Sequence, residues 1–300
     1  MTAVEVPAHA KVNLLLRVLA REDDGFHGLE TIFALLDLHD TLTAERVEGS
    51  SVTLTVEGGD TGPAAENTVV RAAKQVLDAT GGRFGLKLHL VKRIPVKAGL
   101  GGGSSDGAAA LLAVNHLAGN AVPRHELLQF AARLGSDVAF FVAQAPLALG
   151  WGHGERLLRL PALPVAPALL ITPAVGVSTA DAYGWVSAAR KQDGRRGALA
   201  LDLDALSSWG SIGRMAGNDF ESVVFARLPA VRAAFEALCT THPLVCRMSG
   251  SGSTLFAIYR SARERDDAMM MLGRKHGEVR AASTMSATPP GPAPVSPTVP

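Results

Sequence analysis

No charge of either sign predominates in this 300-residue chain: 29 Lys and Arg stand against 28 Asp and Glu, a formal net charge of +1. A broad basic field that would attract nucleic acid or an anionic membrane is therefore excluded. The densest basic cluster, Arg190 to Arg196, is short and includes Asp193, so it reads as a solvated loop. Cysteine is nearly absent. The two present, Cys239 and Cys246, form no C-x-x-C pair; no disulfide framework organises the fold, which suits a reducing cytoplasm. No apolar run approaches the ~18 residues of a membrane span. The opening MTAVEVPAHAKVN has neither the basic start nor the apolar stretch of a secretory signal. No internal repeat is visible. The expectation is a soluble, cytoplasmic protein.

What is present supports a sizeable core, with 47% hydrophobic and 19% charged residues in a length that suits one large or two ordinary domains. Val12, Leu14, Leu16 and Val18 recur at the strand period of two, as do Val52, Leu54 and Val56, and Leu86, Leu88 and Leu90. Asn67 to Ala79 reads as an amphipathic helix capped by Asn67 and stopped at Gly81-Gly82. Further helices are expected over Ser105 to Leu117, Arg124 to Leu134, Pro229 to Leu238 and Ala262 to Lys275, with strands over Ala168 to Thr172 and Ser253 to Tyr259. The proline-punctuated LPALPVAPALLITP from Leu160 suits a crossing between lobes. The final ATPPGPAPVSPTVP holds six of the seventeen prolines and little to bury, so residues 285–300 are expected to form a disordered tail.

The strongest chemical signal is Pro95-Val-Lys-Ala-Gly-Leu-Gly-Gly-Gly-Ser-Ser105, between a strand-like LKLHLVKRI and a helix-forming DGAAALLAVNHL. Gly99, Gly101, Gly102 and Gly103 let the backbone take positive φ and approach a ligand closely. The N–H groups of such a loop, continued into a helix N-terminus, make a cradle for phosphate oxygens. Ser104 and Ser105 can cap that helix and offer hydroxyls to phosphate or metal. A flexible surface loop is the alternative, but the strand–glycine–helix context is the one an anion site requires. Gly-Lys, G-x-G-x-x-G, H-R-D and D-F-G are all missing, so the loop is not a Walker A, dinucleotide or protein-kinase motif. Gly103-Ser-Ser-Asp-Gly107 also fits G-x-S-x-G, a possible serine-hydrolase elbow at Ser105, although no strand runs straight into that serine.

P-x-x-x-G-L-G-G-G-S-S resembles the phosphate loop of the GHMP kinases. AKVNL at Ala10 to Leu14 and SGSGS at Ser249 to Ser253 agree with it. Within that superfamily DDGFHGLETIFALLDLHDTL, LGSDVAFFV, GVSTADAY and NDFE are similar to the branch whose acceptor is a cytidine-diphosphate-linked alcohol; homoserine- and mevalonate-type kinases are the nearest alternatives. The matching stretches run in family order from residue 10 to 259. The resemblance implies an α+β, two-lobe fold with an ATP-binding lobe over 1–160 and a second lobe over 161–284. It also implies ATP with Mg2+ and a small-molecule substrate, in a monomer or homodimer.

Lys11 and Asn13 share the strand face opposite Val12 and Leu14, because side chains alternate. On spacing alone Lys11 is equally a solvated residue; the resemblance makes it the active-site lysine and Asn13 a substrate contact. Asp137, beside Val138-Ala-Phe-Phe141 and just after a helix stop, reads either as a helix cap or as a carboxylate acting on a substrate hydroxyl. The resemblance makes it the catalytic aspartate. It likewise assigns Pro95, Val96, Lys97, Ala98, Gly99, Leu100, Gly101, Gly102, Gly103, Ser104 and Ser105 to ATP. His27 is implied to read the cytosine edge, with Phe26 stacking on the ring. In this branch a tyrosine is usual at the Phe26 position, so a hydroxyl is lost there. The second stacking aromatic is Tyr183, with Trp185 near enough to compete. No dedicated metal ligand emerges. His125-Glu-Leu-Leu-Gln129 falls short of H-E-x-x-H, and the acids of Asn218-Asp-Phe-Glu221 suit lobe packing.

Overall fold

The computed structural model describes residues 2–21, 27–193, 202, 204 and 206–295, with the backbone alone at Arg21 and at 190–193. In chain order the strands are β1 (Ala3–Arg21), β2 (His27–Val47), β3 (Val52–Glu57), β4 (Gly85–Val91), β5 (Leu147–Gly152), β6 (Arg156–Arg159), β7 (Pro167–Thr172), β8 (Gly217–Asn218), β9 (Val245–Met248), β10 (Leu255–Ile258), β11 (Glu278–Ser283) and β12 (Ala293–Pro294). The helices are α1 (Thr68–Ala79), α2 (Gly102–Leu117), α3 (Arg124–Leu134), α4 (Val138–Ala143), α5 (Thr179–Asp193), α6 (Trp209–Met215), α7 (Glu221–Arg227), α8 (Pro229–Cys239) and α9 (Ala262–Leu272). The larger sheet runs β12-β1-β2-β4-β3, with β5 and β6 continuing from β2 and β8 lying parallel to β1. The smaller runs β11-β7-β10-β9, antiparallel throughout.

The apolar pattern dictates four layers. Val4, Val6 and Ala8 of β1 pack with Leu86, Leu88 and Leu90 of β4 against α1–α4. Beyond residue 9 the buried face of β1 passes to Ala10, Val12 and Leu14, which meet Ala168 and Leu170 of β7 and Phe256 and Ile258 of β10 between the two sheets. The intervening residues, Leu169, Ile171, Leu255 and Ala257, point the other way onto a cluster that includes Val186, Val224, Val231 and Leu272 from the outer helices. A strand buried on both faces needs no polar alternation, which is why β7 reads as a continuous apolar run.

Local signals hold where they are strong. The side chain of Asn67 accepts from the Val69 N–H at 2.9 Å and caps α1, whose Val69, Ala72, Ala73 and Val76 are buried. The helix after the glycine loop starts earlier than expected, at Gly102, with Gly101 as N-cap at φ 72° rather than either serine. The charged stretch expected to be a loop contributes residues 190–193 to α5; the remainder, 194–196, lies outside the described residues.

The tail expected to be disordered over 285–300 is ordered through residue 295. The Met285 N–H donates to the Leu35 carbonyl at 3.0 Å, Pro289 is buried, and β12 pairs with the N-terminal end of β1 through Val4↔Pro294 and Glu5↔Ala293. Composition misleads here because the segment is ordered by capping a free strand edge, a place that tolerates proline, rather than by burying a core of its own. Ending the chain after Thr284 should therefore cost about 1–3 kcal/mol in lost hydrogen bonds and packing, lowering the thermal midpoint by several degrees. Differential scanning calorimetry would read this, and an unchanged midpoint would show that the segment does not hold the sheet.

Candidate active site

The glycine loop is gripped from two sides. The Lys11 N–H of β1 donates to the Leu100 carbonyl at 3.0 Å. From the turn between β9 and β10, the Ser249 hydroxyl donates to the Gly99 carbonyl at 2.9 Å and the Thr254 N–H to Ala98 at 3.3 Å. Gly99 lies at φ 80°, and a Cβ there would come 2.2 Å from the Ser249 carbonyl oxygen, so no side chain fits. At Gly101, φ 72°, a Cβ would press on Phe141 and on the Lys11 side chain. With the chain turned this way, α2 presents the N–H groups of Gly102, Gly103 and Ser104, which have no acceptor within the helix, to a cavity of about 370 Å3 lined also by Pro95, Val96, Lys97 and Ala98.

Two expected loop contacts point elsewhere. Leu100 is 1% exposed and packs between the sheets. The Ser105 N–H is bound to the Gly101 carbonyl at 2.9 Å, and its side chain is buried on the side of α2 facing His9 and Gln144. Residues two apart on a helix point in nearly opposite directions, so Ser105 turns away from Gly103, which lines the cavity with Asp106, three residues on. The hydrolase elbow fails with it, because such a serine stands exposed on a sharp turn.

Lys11 and Asn13 do share a face, as alternation requires, but neither is solvated: they are 3% and 2% exposed. The β1–β2 register shifts between His9 and Lys11 and again between Asn13 and Leu15, so irregularities bracket this segment and aim it at the loop. Lys11 Nζ donates to Asn13 Oδ1 at 2.6 Å and lies 3.3 Å from Asp137 Oδ2. Asn13 is fixed in turn, donating to the Thr31 hydroxyl at 2.7 Å and accepting from the Gly250 N–H at 3.0 Å. Asp137 is the N-terminal residue before α4, yet its side chain makes no capping bond. The carboxylate is left to face Lys11.

These three groups open into a second, larger cavity of about 850 Å3, which shares Gly99, Gly101 and Ser104 with the first. Its far wall carries His27 and Tyr183, rings stacked 5.3 Å apart at 23°. Tyr183 meets Phe220 edge-on at 5.0 Å, and the Ser187 hydroxyl lies 3.0 Å from His27 Nε2. Burial, helped by the charge of Asp137, pushes the Tyr183 phenol up to about 12. Trp185 lies under the Arg227 guanidinium at 5.0 Å and is not part of the cavity wall. Phe26 lies outside the described residues.

Sequence reasoning missed a second lysine. Lys92 is 7% exposed; its Nζ bonds Asp40 and, at 2.6 Å, Asp106. Asp40 also accepts from the Arg93 and Ile94 N–H groups, which fixes the chain entering the loop. Asp106 Oδ1 has no partner among the described residues. Burial pushes the Asp106 carboxyl up to about 7, against the pull of Lys92 and with a further push from Asp40. The only signal in the sequence was a lysine and an aspartate flanking the glycine run at 92 and 106.

A glycine loop opening a helix, set between a sheet that supplies Lys11 and a second sheet whose turn locks the loop, is the arrangement of a GHMP kinase. The sequence agrees: residues 67–145 match the GHMP kinases N terminal domain and 200–278 the GHMP kinases C terminal region. Among curated relatives, the 4-diphosphocytidyl-2-C-methyl-D-erythritol kinases of Solibacter usitatus and Bordetella parapertussis are 40% and 41% identical, covering 89% and 88% of this chain and 84% and 85% of their own. A crystal structure of 4-(cytidine 5'-diphospho)-2C-methyl-D-erythritol kinase superposes with a TM-score of 0.77 at 35% identity, over 93% of this chain and 98% of that one. The homoserine kinase of Cytophaga hutchinsonii shares the fold, with a TM-score of 0.73 at 22% identity over 98% and 97%. The chain belongs to the 4-diphosphocytidyl-2-C-methyl-D-erythritol kinase family.

The buried trio yields a pH test. Because folding raises the Asp106 pKa from 3.8 to about 7, the native state holds that proton more tightly than the unfolded chain. The stability it contributes is complete below the unfolded pKa and is lost as pH climbs through the folded one. In urea unfolding, Asp106→Asn should gain on the wild type steadily from about pH 4 to about pH 7; a constant difference over that range would exclude this titration.

Proposed function

We propose that this chain transfers the γ-phosphoryl group of ATP to the 2-hydroxyl of 4-diphosphocytidyl-2-C-methyl-D-erythritol, giving the 2-phosphate and ADP, in the non-mevalonate route to isoprenoids. The observation that carries the reading is the Lys11–Asp137 pair, 3.3 Å apart, where the two cavities meet at the loop. Phosphoryl transfer asks mainly for positioning and charge neutralisation. The loop amides and Ser104 hold the triphosphate, with the nucleoside in the smaller cavity and the acceptor alcohol in the larger. Asp137 accepts a hydrogen bond from the 2-hydroxyl, orienting it and taking its proton as the bond to phosphorus forms. Lys11 pairs with Asp137 and neutralises charge on the transferring oxygens, while Asn13 fixes the amine. Tyr183 and Phe26 stack on the cytosine and His27 reads its edge, its ring held by Ser187. The donor set suits Mg2+, which keeps most of its water and binds through phosphates and few protein oxygens; Ser104 is the hydroxyl that would hold it, and the ion would neutralise the β- and γ-phosphates. The ATP-binding lobe spans 1–160 and its partner 161–284, and the setting is the cytoplasm.

Three measurements test this. A coupled ADP-release assay over a panel of alcohols should give turnover with the cytidine-diphosphate alcohol and little with homoserine or mevalonate. Asp137→Asn should lower kcat roughly 10²-fold or more with the KM for ATP nearly unchanged, and adding Lys11→Met should cost little more than either change alone, because groups acting as a unit are not additive. Full activity in Asp137→Asn would leave the aspartate without a chemical role. Gly103 has nothing within 4 Å of its Cβ position and lines the smaller cavity. Gly103→Val should thus fold normally but raise the KM for ATP at least tenfold, roughly the factor that 1.4 kcal/mol of lost contact produces; wild-type ATP affinity in that variant would remove the loop from phosphate binding.

A further inference from the structure

The two cysteines play no part in the site. Cys239 closes α8 and Cys246 lies on β9, both half-buried and both free thiols, with their sulfurs 3.1 Å apart. The turn between them is held on both sides. The Thr241 hydroxyl meets the Leu238 carbonyl at 2.6 Å and the Tyr259 hydroxyl at 2.7 Å, and the Leu244 N–H donates to Ile258 at 2.7 Å. The sulfurs are thus paired by the backbone framework, not by a chance rotamer. A disulfide needs about 2.05 Å, so the thiols must close by only about 1 Å.

We propose that Cys239 and Cys246 are a peroxide-reactive dithiol, in which Cys239 takes the oxidising hit and Cys246 resolves it as an intramolecular disulfide. The polarity of the pair supports that division of roles. The hydrogen bond shared with Cys246 is the largest influence on Cys239 and holds its thiol below the usual range, against burial; the Arg247 guanidinium adds to the lowering, and Glu221 and Glu236 oppose it. The same bond and burial push Cys246 up. The thiolate is the reactive form. The Cys239 thiolate attacks one oxygen of hydrogen peroxide; the O–O bond breaks, hydroxide leaves and is protonated to water, and Cys239 becomes a sulfenic acid. The sulfur of Cys246 then attacks that sulfur. The S–S bond forms, the S–O bond breaks, and the departing hydroxide takes the Cys246 proton to leave as a second water. Two thiols lose two electrons and one peroxide gains them. The disulfide halts Cys239 before the sulfinic step, which is irreversible for most proteins. It does so on β9, three residues before Ser249, the residue that grips the glycine loop.

Both cysteines fall on one tryptic peptide, Ala233 to Arg247. The full chain is treated with a few equivalents of hydrogen peroxide, digested after alkylation, and that peptide is weighed. The wild type should lose two hydrogens from this peptide and recover them with dithiothreitol. Cys246→Ser should instead gain two oxygens at Cys239, while Cys239→Ser should leave Cys246 reduced. The inference is overturned if the wild-type peptide gains oxygen, if chains become cross-linked to one another, or if the wild type keeps both thiols at a dose that oxidises Cys246→Ser.

Discussion

Three stretches of backbone far apart in sequence meet at the Gly99 and Leu100 carbonyls. The Ser249 hydroxyl holds the first and the Lys11 N–H the second, while the Gly250 N–H reaches past the loop to Asn13. Asn218 closes the circuit from behind, its amide donating to Met248 and Gly250 at 2.8 Å each. None of these bonds is worth more than about 0.5–1.5 kcal/mol net, yet together they fix where Lys11 stands relative to the amides of α2. The smaller sheet's turn is half of the loop's support, and this is why the proposed chemistry cannot belong to the larger sheet alone.

The two ion groups near the loop do different work, and burial separates them. Asp137 has a side chain 30% exposed against 4% for Lys11, so its carboxylate keeps contact with water and its value lies in where it is held. Lys92, Asp40 and Asp106 are all buried. Removing the lysine would strand two buried carboxylates, a change of about 3–5 kcal/mol for a single such pair. The first group is therefore free to serve the reaction, while the second anchors the strand end from which the loop departs.

The sequence made the local signals legible and the long-range ones illegible. Asn67 announced its cap, the glycines announced the loop, and alternation put Lys11 and Asn13 on one face. Burial of that face was not readable, because it depends on α4 and on the register shifts either side of Lys11–Asn13, and a shift leaves no mark in one strand's composition. Asp40 and Lys92 stand 52 residues apart and pair only because β2 lies beside β4. Cys239 and Cys246 look unrelated until α8 turns back into β9. The proline-rich tail was misjudged for the same reason: what orders it is the edge of β1, almost three hundred residues away.

Tyr183 and Trp185 show how one missing element leaves a choice open. Without α5 the two aromatics are merely neighbours in a loop. On a helix, residues two apart point in nearly opposite directions, whereas those three and four apart share a face. Thr179, Ala180, Tyr183, Gly184 and Ser187 follow that spacing and form the cavity wall, while Ala182 and Val186 go to the core and Trp185 to Arg227. Lys11 and Asp137 thus come from a strand and a helix start that the fold rigidly specifies, and the opposite wall of the larger cavity comes from one helix and the start of β2. A homoserine kinase shares this fold at 22% identity, so the fold cannot choose the acceptor. That choice is left to the side chains on the wall, where His27 and Tyr183 set two flat rings against the larger cavity.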